Sequence, residues 1–277
     1  MRVGILTLLA MIAFASNSLF CRIALRQTTI DAASFTLIRL LSGALALSLI
    51  VIARKTGRLT AGSWISGLAL FAYAAAFSFA YISLSAGTGA LLLFGAVQAT
   101  MILWGLRKGE RLNAQQWFGL AMALGGLVAL VLPGLSAPPM GGALLMTGAG
   151  IAWGIYSLRG KGAGDPTSVT AGNFWRATVF AALLSVALLR WINLDRAGAC
   201  YAIVSGSIAS GVGYVIWYSA LPELKATSAA TVQLSVPVLA GLGGIVFLGE
   251  SISLRLVLAS ALILGGIGLV IMEKPAD

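Results

Sequence analysis

Residues 34–53 read SFTLIRLLSGALALSLIVIA, an apolar run in which Arg39 is the only charged residue. A helix needs about 20 predominantly apolar residues to cross the hydrocarbon core of a bilayer. The run has that length, and two basic residues, Arg54 and Lys55, follow it directly. We therefore interpret it as a transmembrane helix that ends at a membrane surface.

Nine further stretches of similar length and composition lie on both sides of this run. Gly, Pro and charged residues mark their ends, as at Pro133-Gly134, and no long polar segment remains for a separate soluble domain. The sequence thus predicts an all-α integral membrane protein of ten transmembrane helices. With 34–53 as the second, the other predicted spans are 3–21, 63–84, 88–106, 115–132, 141–158, 168–189, 198–219, 226–248 and 254–272.

The composition of the whole chain agrees with a membrane location. Of its 277 residues, 59% are apolar and 9% are charged, whereas soluble proteins carry about 25% charged residues. So few charges cannot cover the surface of a soluble protein of this length. The 34 glycines are consistent with membrane helices, which approach one another closely through small residues.

The net charge of +10 indicates topology and not a nucleic-acid surface, because Lys and Arg occur in short runs between apolar stretches. Such residues accumulate in cytoplasmic loops. With a cytoplasmic N-terminus, inner loops hold eleven of them, at positions 2, 54, 55, 58, 107, 108, 111, 159, 161, 225 and 274, and outer loops hold five, at positions 22, 26, 190, 196 and 255. Both termini are therefore expected in the cytoplasm, in agreement with an even number of spans.

The chain contains an internal repeat. Arg39 and Tyr81 are followed 137 residues later by Arg176 and Tyr218. Other matches fall in the same order at neighbouring offsets and pair 12–15 with 151–154, 109–110 with 249–250 and 124–126 with 264–266. Since the N-terminal segment recurs later within a helix, we expect it to be the first span and not a cleaved signal peptide.

Each repeat holds five predicted helices, so the halves 1–135 and 136–277 enter the membrane from opposite sides. Inverted repeats are typical of secondary transporters, in which the substrate binds near the bilayer midplane between the halves. The pattern therefore favours transport by alternating access. A duplication that only enlarges the helix bundle is the alternative.

Two five-helix halves, each with an arginine in a helix, a Gly-Glu before its last helix and a Gly-Gly within it, resemble the EamA-type branch of the drug/metabolite transporter superfamily. Pro237 followed by Gly249-Glu250 matches the pattern of the branch's second half, whereas Val97 stands where the first half would have Pro. Asn17, the aromatic-rich interior and the chain length are most similar to the YddG-type exporters of aromatic and other neutral amino acids. The resemblance covers nearly the whole chain and implies a carrier fold, while its motifs say little about the substrate.

Acidic side chains are absent from the predicted membrane interior. All eight lie in loops or at helix ends, at positions 31, 110, 165, 195, 223, 250, 273 and 277. A buried carboxylate is the usual proton-coupling group and the usual partner of a cationic drug, so a proton-coupled multidrug antiporter is disfavoured. Glu110 and Glu250 precede the last helix of each half, where we expect them to interact with the positive end of the helix dipole.

No catalytic group stands out in the sequence. The chain has no His, no predicted pair of buried carboxylates, no phosphate-binding Gly-Lys-Ser/Thr loop and no CxxC. We therefore expect no enzymatic activity, no metal and no cofactor. The expected partners are a small-molecule substrate and the lipid bilayer, without nucleic acid, and the chain is expected to act as a monomer.

Polar and aromatic side chains within the predicted spans form the candidate substrate site. Residues with helical spacing share one face of a helix, and an amide in hydrocarbon needs a hydrogen-bonding partner. For the aromatic residues, packing alone is the alternative. The candidates are Asn17, Tyr73, Phe77, Tyr81, Gln98, Trp153, Tyr156, Tyr214, Tyr218 and Gln233, with Pro237 as a gating hinge in the ninth helix.

Arg39 and Arg176 have two interpretations, contact with a substrate carboxylate or snorkelling to the membrane surface, and we favour snorkelling. Taken together, the sequence predicts a multi-pass secondary transporter of a bacterial inner membrane. It would export small metabolites, above all aromatic and other neutral amino acids, by alternating access. An exporter of other metabolites or drugs is the alternative. A sugar-phosphate or nucleotide-sugar exchanger is less favoured, because only these two arginines could supply basic groups to a cavity.

Overall fold

The computed structural model describes residues 2–55, 60–109, 111–132, 134, 137–160, 164–224 and 232–271. Over these residues the chain is helical and contains no β-strand, so the prediction of an all-α protein is confirmed. The helices are α1 (Arg2–Gln27), α2 (Ala32–Arg54), α3 (Trp64–Tyr81), α4 (Ala86–Arg107), α5 (Ala114–Val131), α6 (Met140–Gly160), α7 (Pro166–Ala187), α8 (Arg196–Glu223), α9 (Ser235–Leu248) and α10 (Leu254–Ile271).

Within the described residues, eight helices are long and apolar enough to cross a membrane, namely α1 to α6, α8 and α10. Helix α7 carries polar residues such as Thr170 and Asn173, which are buried against the rest of the protein. Helix α9 has 14 residues, and residues 225–231 before it lie outside the described part of the chain. Ten spans therefore remain a prediction.

Large apolar side chains cover the outside of the bundle. Leu49, Leu183 and Val246 are 67%, 62% and 73% exposed, and similar side chains are exposed on every helix. Soluble proteins rarely expose contiguous apolar surface of this extent, whereas the hydrocarbon chains of a bilayer solvate it well. The chain is therefore a multi-pass membrane protein.

The helices of the two halves pack against one another throughout the bundle. Helix α2 packs on α7 and α5 on α10, while α3 and α4 pack on α6, and α8 and α9 pack on α1. Glycines allow α5 and α10 to approach closely, because a side chain at Gly119 or Gly266 would overlap the facing backbone. Of the paired glycines in the repeat, Gly126 and Gly266 lie in this contact, whereas Gly125 has nothing within 4 Å.

Two aspartates fasten loops together at one end of the bundle. Asp31 accepts hydrogen bonds from the first N–H groups of α2 and from the N–H of Asn193, each at 2.9 Å. Asp195 caps α8 and accepts from the N–H of Thr29 at 3.1 Å. Burial alone would raise the pKa of Asp31, but hydrogen bonds from Ser34 and from backbone N–H groups hold that pKa below its usual value.

Two observed helices differ from the predicted spans. Helix α1 continues past residue 21 to Gln27, because Arg22 finds partners inside the protein. In the ninth span, residues 232–233 are helical, a turn follows at Leu234, and α9 begins at Ser235. Pro237 lies three residues after this interruption, in the first turn of α9, and it cannot donate the hydrogen bond that would join α9 to residue 233. Its role as a gating hinge stays a prediction.

Candidate functional site

Arg39 lies at the centre of the bundle. Its side chain is only 2% exposed, and its Nη2 atom donates a hydrogen bond to the hydroxyl of Tyr73 on α3 at 3.0 Å. The guanidinium lies 5.2 Å from the ring centroid of Tyr73 and 4.9 Å from that of Phe77. The prediction that Arg39 snorkels to the membrane surface is wrong, because neighbouring helices cover it.

Asn17 and Ser205 extend this contact to α1 and α8. The Nδ2 atom of Asn17 donates to the hydroxyl of Tyr73 at 3.3 Å, and its Oδ1 atom accepts from the hydroxyl of Ser205 at 2.6 Å. Ser205 begins a π-helical segment of α8, Ser205–Val212, a feature that is frequent at functional sites. Four helices thus meet in one polar network inside the bundle.

A continuous chain of aromatic rings adjoins this network. Trp153 of α6 stacks on Tyr214 of α8, with centroids 5.3 Å apart and ring planes at 22°. Trp153 also lies 4.8 Å from Tyr73. Along α3, Tyr73 contacts Phe77 at 5.4 Å, and Phe77 contacts Tyr81 at 4.7 Å. The rings therefore form a row that extends from the polar network toward one end of the bundle.

The contacts bring together seven of the ten residues predicted for the site, Asn17, Tyr73, Phe77, Tyr81, Trp153, Tyr156 and Tyr214. Tyr218, one turn beyond Tyr214, packs against the same core. Gln98 is buried in α4 and Gln233 lies just before α9.

Other members of the cluster escaped the sequence-based prediction. Phe14 lies 5.7 Å from the ring of Tyr214, and Phe174 lies 6.1 Å from it. Phe14 stands three residues before Asn17, so helical spacing could have identified it. Phe174 and Ser205 carry no such signal, since nothing in the sequence tells which face of α7 or α8 points into the bundle.

The charge of Arg39 has no counterion among the described residues. Its Nε and Nη1 atoms have no hydrogen-bond partner, and the ion pairs described by the structure both involve Glu250 at one end of the bundle. An uncompensated buried charge costs about 3–5 kcal/mol, of which cation–π contacts recover roughly 0.5–2 kcal/mol. An ionisable group kept inside a membrane protein at such a cost indicates a functional site.

Arg22 and Glu250 form a buried ion pair, which we call the latch. The Nε atom of Arg22 lies 3.0 Å from Oε1 of Glu250. Nη1 of Arg22 donates to the carbonyl oxygens of Tyr81 and Ile82 at 2.8 and 3.0 Å, and Oε2 of Glu250 accepts from the N–H of Ala86 at 2.8 Å. The latch thus ties α1 and the loop after α9 to the end of α3 and the start of α4.

The latch corrects the role expected for Glu250. Its carboxylate caps α4 through Ala86, and not α10, which it precedes in sequence. Glu110, its predicted counterpart, lies outside the described residues. Since Tyr81 belongs to the aromatic chain and also contacts the latch, the candidate site reaches up to this closed end of the bundle.

Arg176 does not join Arg39 in the interior. It donates to the carbonyl oxygens of Ala61 and Gly172 at 2.7 and 2.8 Å and to that of Thr60 at 3.1 Å. These contacts fasten the loop between α2 and α3, at the end of the bundle opposite the latch. The two arginines that the repeat relates therefore have different environments.

A helical bundle with a lipid-facing apolar surface and a polar, aromatic interior fits a multi-pass membrane transporter. The chain belongs to the EamA-like transporter family, whose model matches residues 1–132 and, a second time, residues 140–272. This membership makes it a transporter and not an enzyme, and confirms the resemblance to the EamA-type branch. The finer likeness to exporters of aromatic amino acids remains a prediction.

Relatives cover different shares of the chain. An uncharacterized protein of Pseudomonas aeruginosa is 57% identical over 274 residues, which are 99% of this chain and 96% of that protein. The threonine/homoserine exporter RhtA of Salmonella typhimurium is 31% identical over 144 residues, which are 48% of this chain and 47% of the exporter. One solved crystal structure has a TM-score of 0.69 at 19% identity, covering 97% of this chain and 96% of that one, and shows a shared fold.

Proposed function

We propose that this protein exports neutral amino acids, above all those with aromatic or large apolar side chains, by alternating access. The interior cluster carries the proposal. It offers stacked rings, an amide and hydroxyl groups, and the described residues place no carboxylate in it. Such a lining suits a substrate with an apolar side chain and no net positive charge. The name of the relative RhtA, an amino-acid exporter, supports the substrate class, and its bacterial source supports an inner-membrane location.

The proposed architecture is ten spans in two inverted repeats, 1–135 and 136–277, with both termini in the cytoplasm. The two matches to the family model support it. The helix contacts support it as well, since α3 on α6 corresponds to α8 on α1, and α4 on α6 corresponds to α9 on α1. The contacts of α2 with α7 and of α5 with α10 join equivalent helices of the two halves.

Alternating access requires that one end of the pathway is closed while the other opens. With cytoplasmic termini, the latch of Arg22 and Glu250 lies on the outer side. The structure then corresponds to a state that is closed to the outside. Opening would separate α1 and the α9–α10 loop from α3 and α4, which breaks the hydrogen bonds of Arg22 to Tyr81 and Ile82 and of Glu250 to Ala86 and exposes Tyr81.

A sugar-phosphate exchanger finds less support in the same geometry. A phosphate group is held by several converging basic groups. Arg176 is engaged by a loop and Arg22 by Glu250, which leaves Arg39 alone among the described basic residues of the interior.

Counterflow in proteoliposomes tests the proposed function. Vesicles with purified protein are preloaded with one unlabelled amino acid, and uptake of its labelled form is followed for phenylalanine, tyrosine, leucine, threonine and lysine, with and without a pH gradient. We expect accumulation of the aromatic and aliphatic substrates above protein-free vesicles, and none of lysine. Failure to accumulate any neutral amino acid would defeat the proposal, and so would a preference for lysine.

A further inference from the structure

We propose that Arg39 and Tyr73 form a subsite for the carboxylate of the substrate, and that the protein recognises this carboxylate and not the ammonium group. The inference rests on the proposed function, because it names the part of that substrate which these two residues bind.

The subsite has more hydrogen-bond donors than the protein uses. Nη2 of Arg39 donates to Tyr73, while Nε and Nη1 have no partner. The hydroxyl oxygen of Tyr73 accepts from Arg39 and also from Asn17, which occupies both of its lone pairs. Its own hydrogen has no acceptor in the described part of the chain. An anion that enters the cluster when the pathway opens could therefore accept hydrogen bonds from both the guanidinium and the hydroxyl.

The single positive charge of the Arg39 subsite favours a ligand with one negative charge. The titratable groups that face Arg39 from the helices around it are Tyr73, Tyr214 and Cys21, which are all uncharged at neutral pH. One carboxylate would neutralise the single buried cation, whereas a phosphate dianion would leave an excess negative charge in a medium of low dielectric constant. The planar guanidinium also matches a planar carboxylate in shape.

A substrate ammonium group finds no such partner. No described carboxylate lies in the cluster, and the ring faces of Trp153 and Tyr214 are stacked on one another. A cation would also be repelled by Arg39. Removal of the amino group should therefore cost little affinity, and removal of the carboxylate should abolish binding.

A series of analogues tests this selectivity on the full-length wild-type protein. Unlabelled phenylalanine, 3-phenylpropionate, phenethylamine and inorganic phosphate are compared as inhibitors of labelled phenylalanine counterflow. We expect inhibition by phenylalanine and by 3-phenylpropionate, and none by phenethylamine or phosphate at the same concentration. Inhibition by phenethylamine or phosphate that equals that by 3-phenylpropionate would overturn the inference.

Substitution assigns the selectivity to residues. In R39Q we expect the Kd of 3-phenylpropionate to rise about 10- to 100-fold, the range for loss of a charged hydrogen bond. Y73F keeps the ring and Arg39, and we expect a rise of about three- to tenfold. R190Q, which removes an exposed arginine outside the cluster and the latch, is the matched control and should bind like wild type.

Thermal unfolding separates binding from a structural role of Arg39. Without ligand, R39Q should unfold at no lower temperature than wild type, because the substitution removes an uncompensated buried charge. A lower unfolding temperature with unchanged selectivity would show a structural role and overturn the inference. If R39Q does not fold, Y73F provides the test, since an unchanged Kd of 3-phenylpropionate in Y73F also overturns the inference.

The proposed function and this inference can fail separately. Wild-type protein that transports no amino acid refutes the proposed function, whereas transport with no preference for the carboxylate refutes this inference alone.

Discussion

For single residues, the sequence predicts the contacts of some side chains and not of others. Tyr73, Phe77 and Tyr81 share a face of α3 because their spacing is helical, so their contact was predictable. Arg39 was not, since the same position in α2 allows snorkelling unless another helix covers it. Its burial follows from the packing of α3 and α8 on α2, with Tyr73 and Phe77 beside its guanidinium and Gly206 against its carbonyl oxygen. These contacts depend on tertiary packing, which local patterns do not contain.

Trp153 joins two parts of the cluster, because it contacts both Tyr73 and Tyr214. Loss of an aromatic partner removes about 0.5–1.5 kcal/mol of binding energy per contact, so W153A should raise the KM for phenylalanine counterflow about threefold to tenfold. W117A makes the same change at a lipid-facing side chain that is 53% exposed, and its KM should stay unchanged. If the two substitutions change the KM equally, Trp153 does not contact the substrate and serves only in packing.

At the scale of elements, α8 departs most from a regular helix. The π-helical segment Ser205–Val212 interrupts it beside the polar network. A side chain at Gly206, within this segment, would overlap the carbonyl oxygen of Arg39 and the hydroxyl of Ser42. The sequence predicts the span but not the interruption, because several glycines and serines of α8 are equally compatible with plain helix packing.

We expect G206A to lower the free energy of unfolding by about 1–3 kcal/mol through overpacking between α2 and α8. Gly148 of α6 has nothing within 4 Å, so G148A should be neutral or stabilising by up to about 1 kcal/mol. Unfolding of both variants in detergent, followed by circular dichroism, measures the difference. Equal stability of the two would contradict the close contact at Gly206.

Asp31, which caps α2, should make the stability of the protein depend on pH. Because the folded pKa of Asp31 lies below its usual value, its contribution to stability is present above the unfolded pKa of about 3.9. It is lost as the pH falls through the lower, folded value. D31N retains one acceptor oxygen for the cap but loses the charge and the bond from Asn193, so it should be less stable than wild type by about 0.5–1.5 kcal/mol near pH 7. The gap should narrow below about pH 4, and a gap that widens on acidification would contradict this role.

For the whole molecule, hydropathy and repeat matches predict an all-helical membrane protein and its helix order well, since both depend on sequence alone. Helix α7 is less apolar than a typical span because it buries polar residues against the protein. Glu250 illustrates the limit of such reasoning, because its carboxylate caps α4, far away in sequence. Contacts between the halves, including the latch, follow from the packed bundle and could not be predicted from local patterns.

Alternating access around the interior cluster is the central claim, and the latch allows a direct test of it. In a background with Cys21→Ala and Cys200→Ala, cysteines replace Arg22 of α1 and Ile82 at the end of α3, which the latch joins by a hydrogen bond. A short bifunctional thiosulfonate reagent then links the two thiols across the closed end. Phenylalanine counterflow is measured before crosslinking, after it, and after reduction, with the cysteine-free protein as control. The account predicts transport before crosslinking, its loss after crosslinking, and recovery on reduction. Full counterflow in completely crosslinked protein would contradict it.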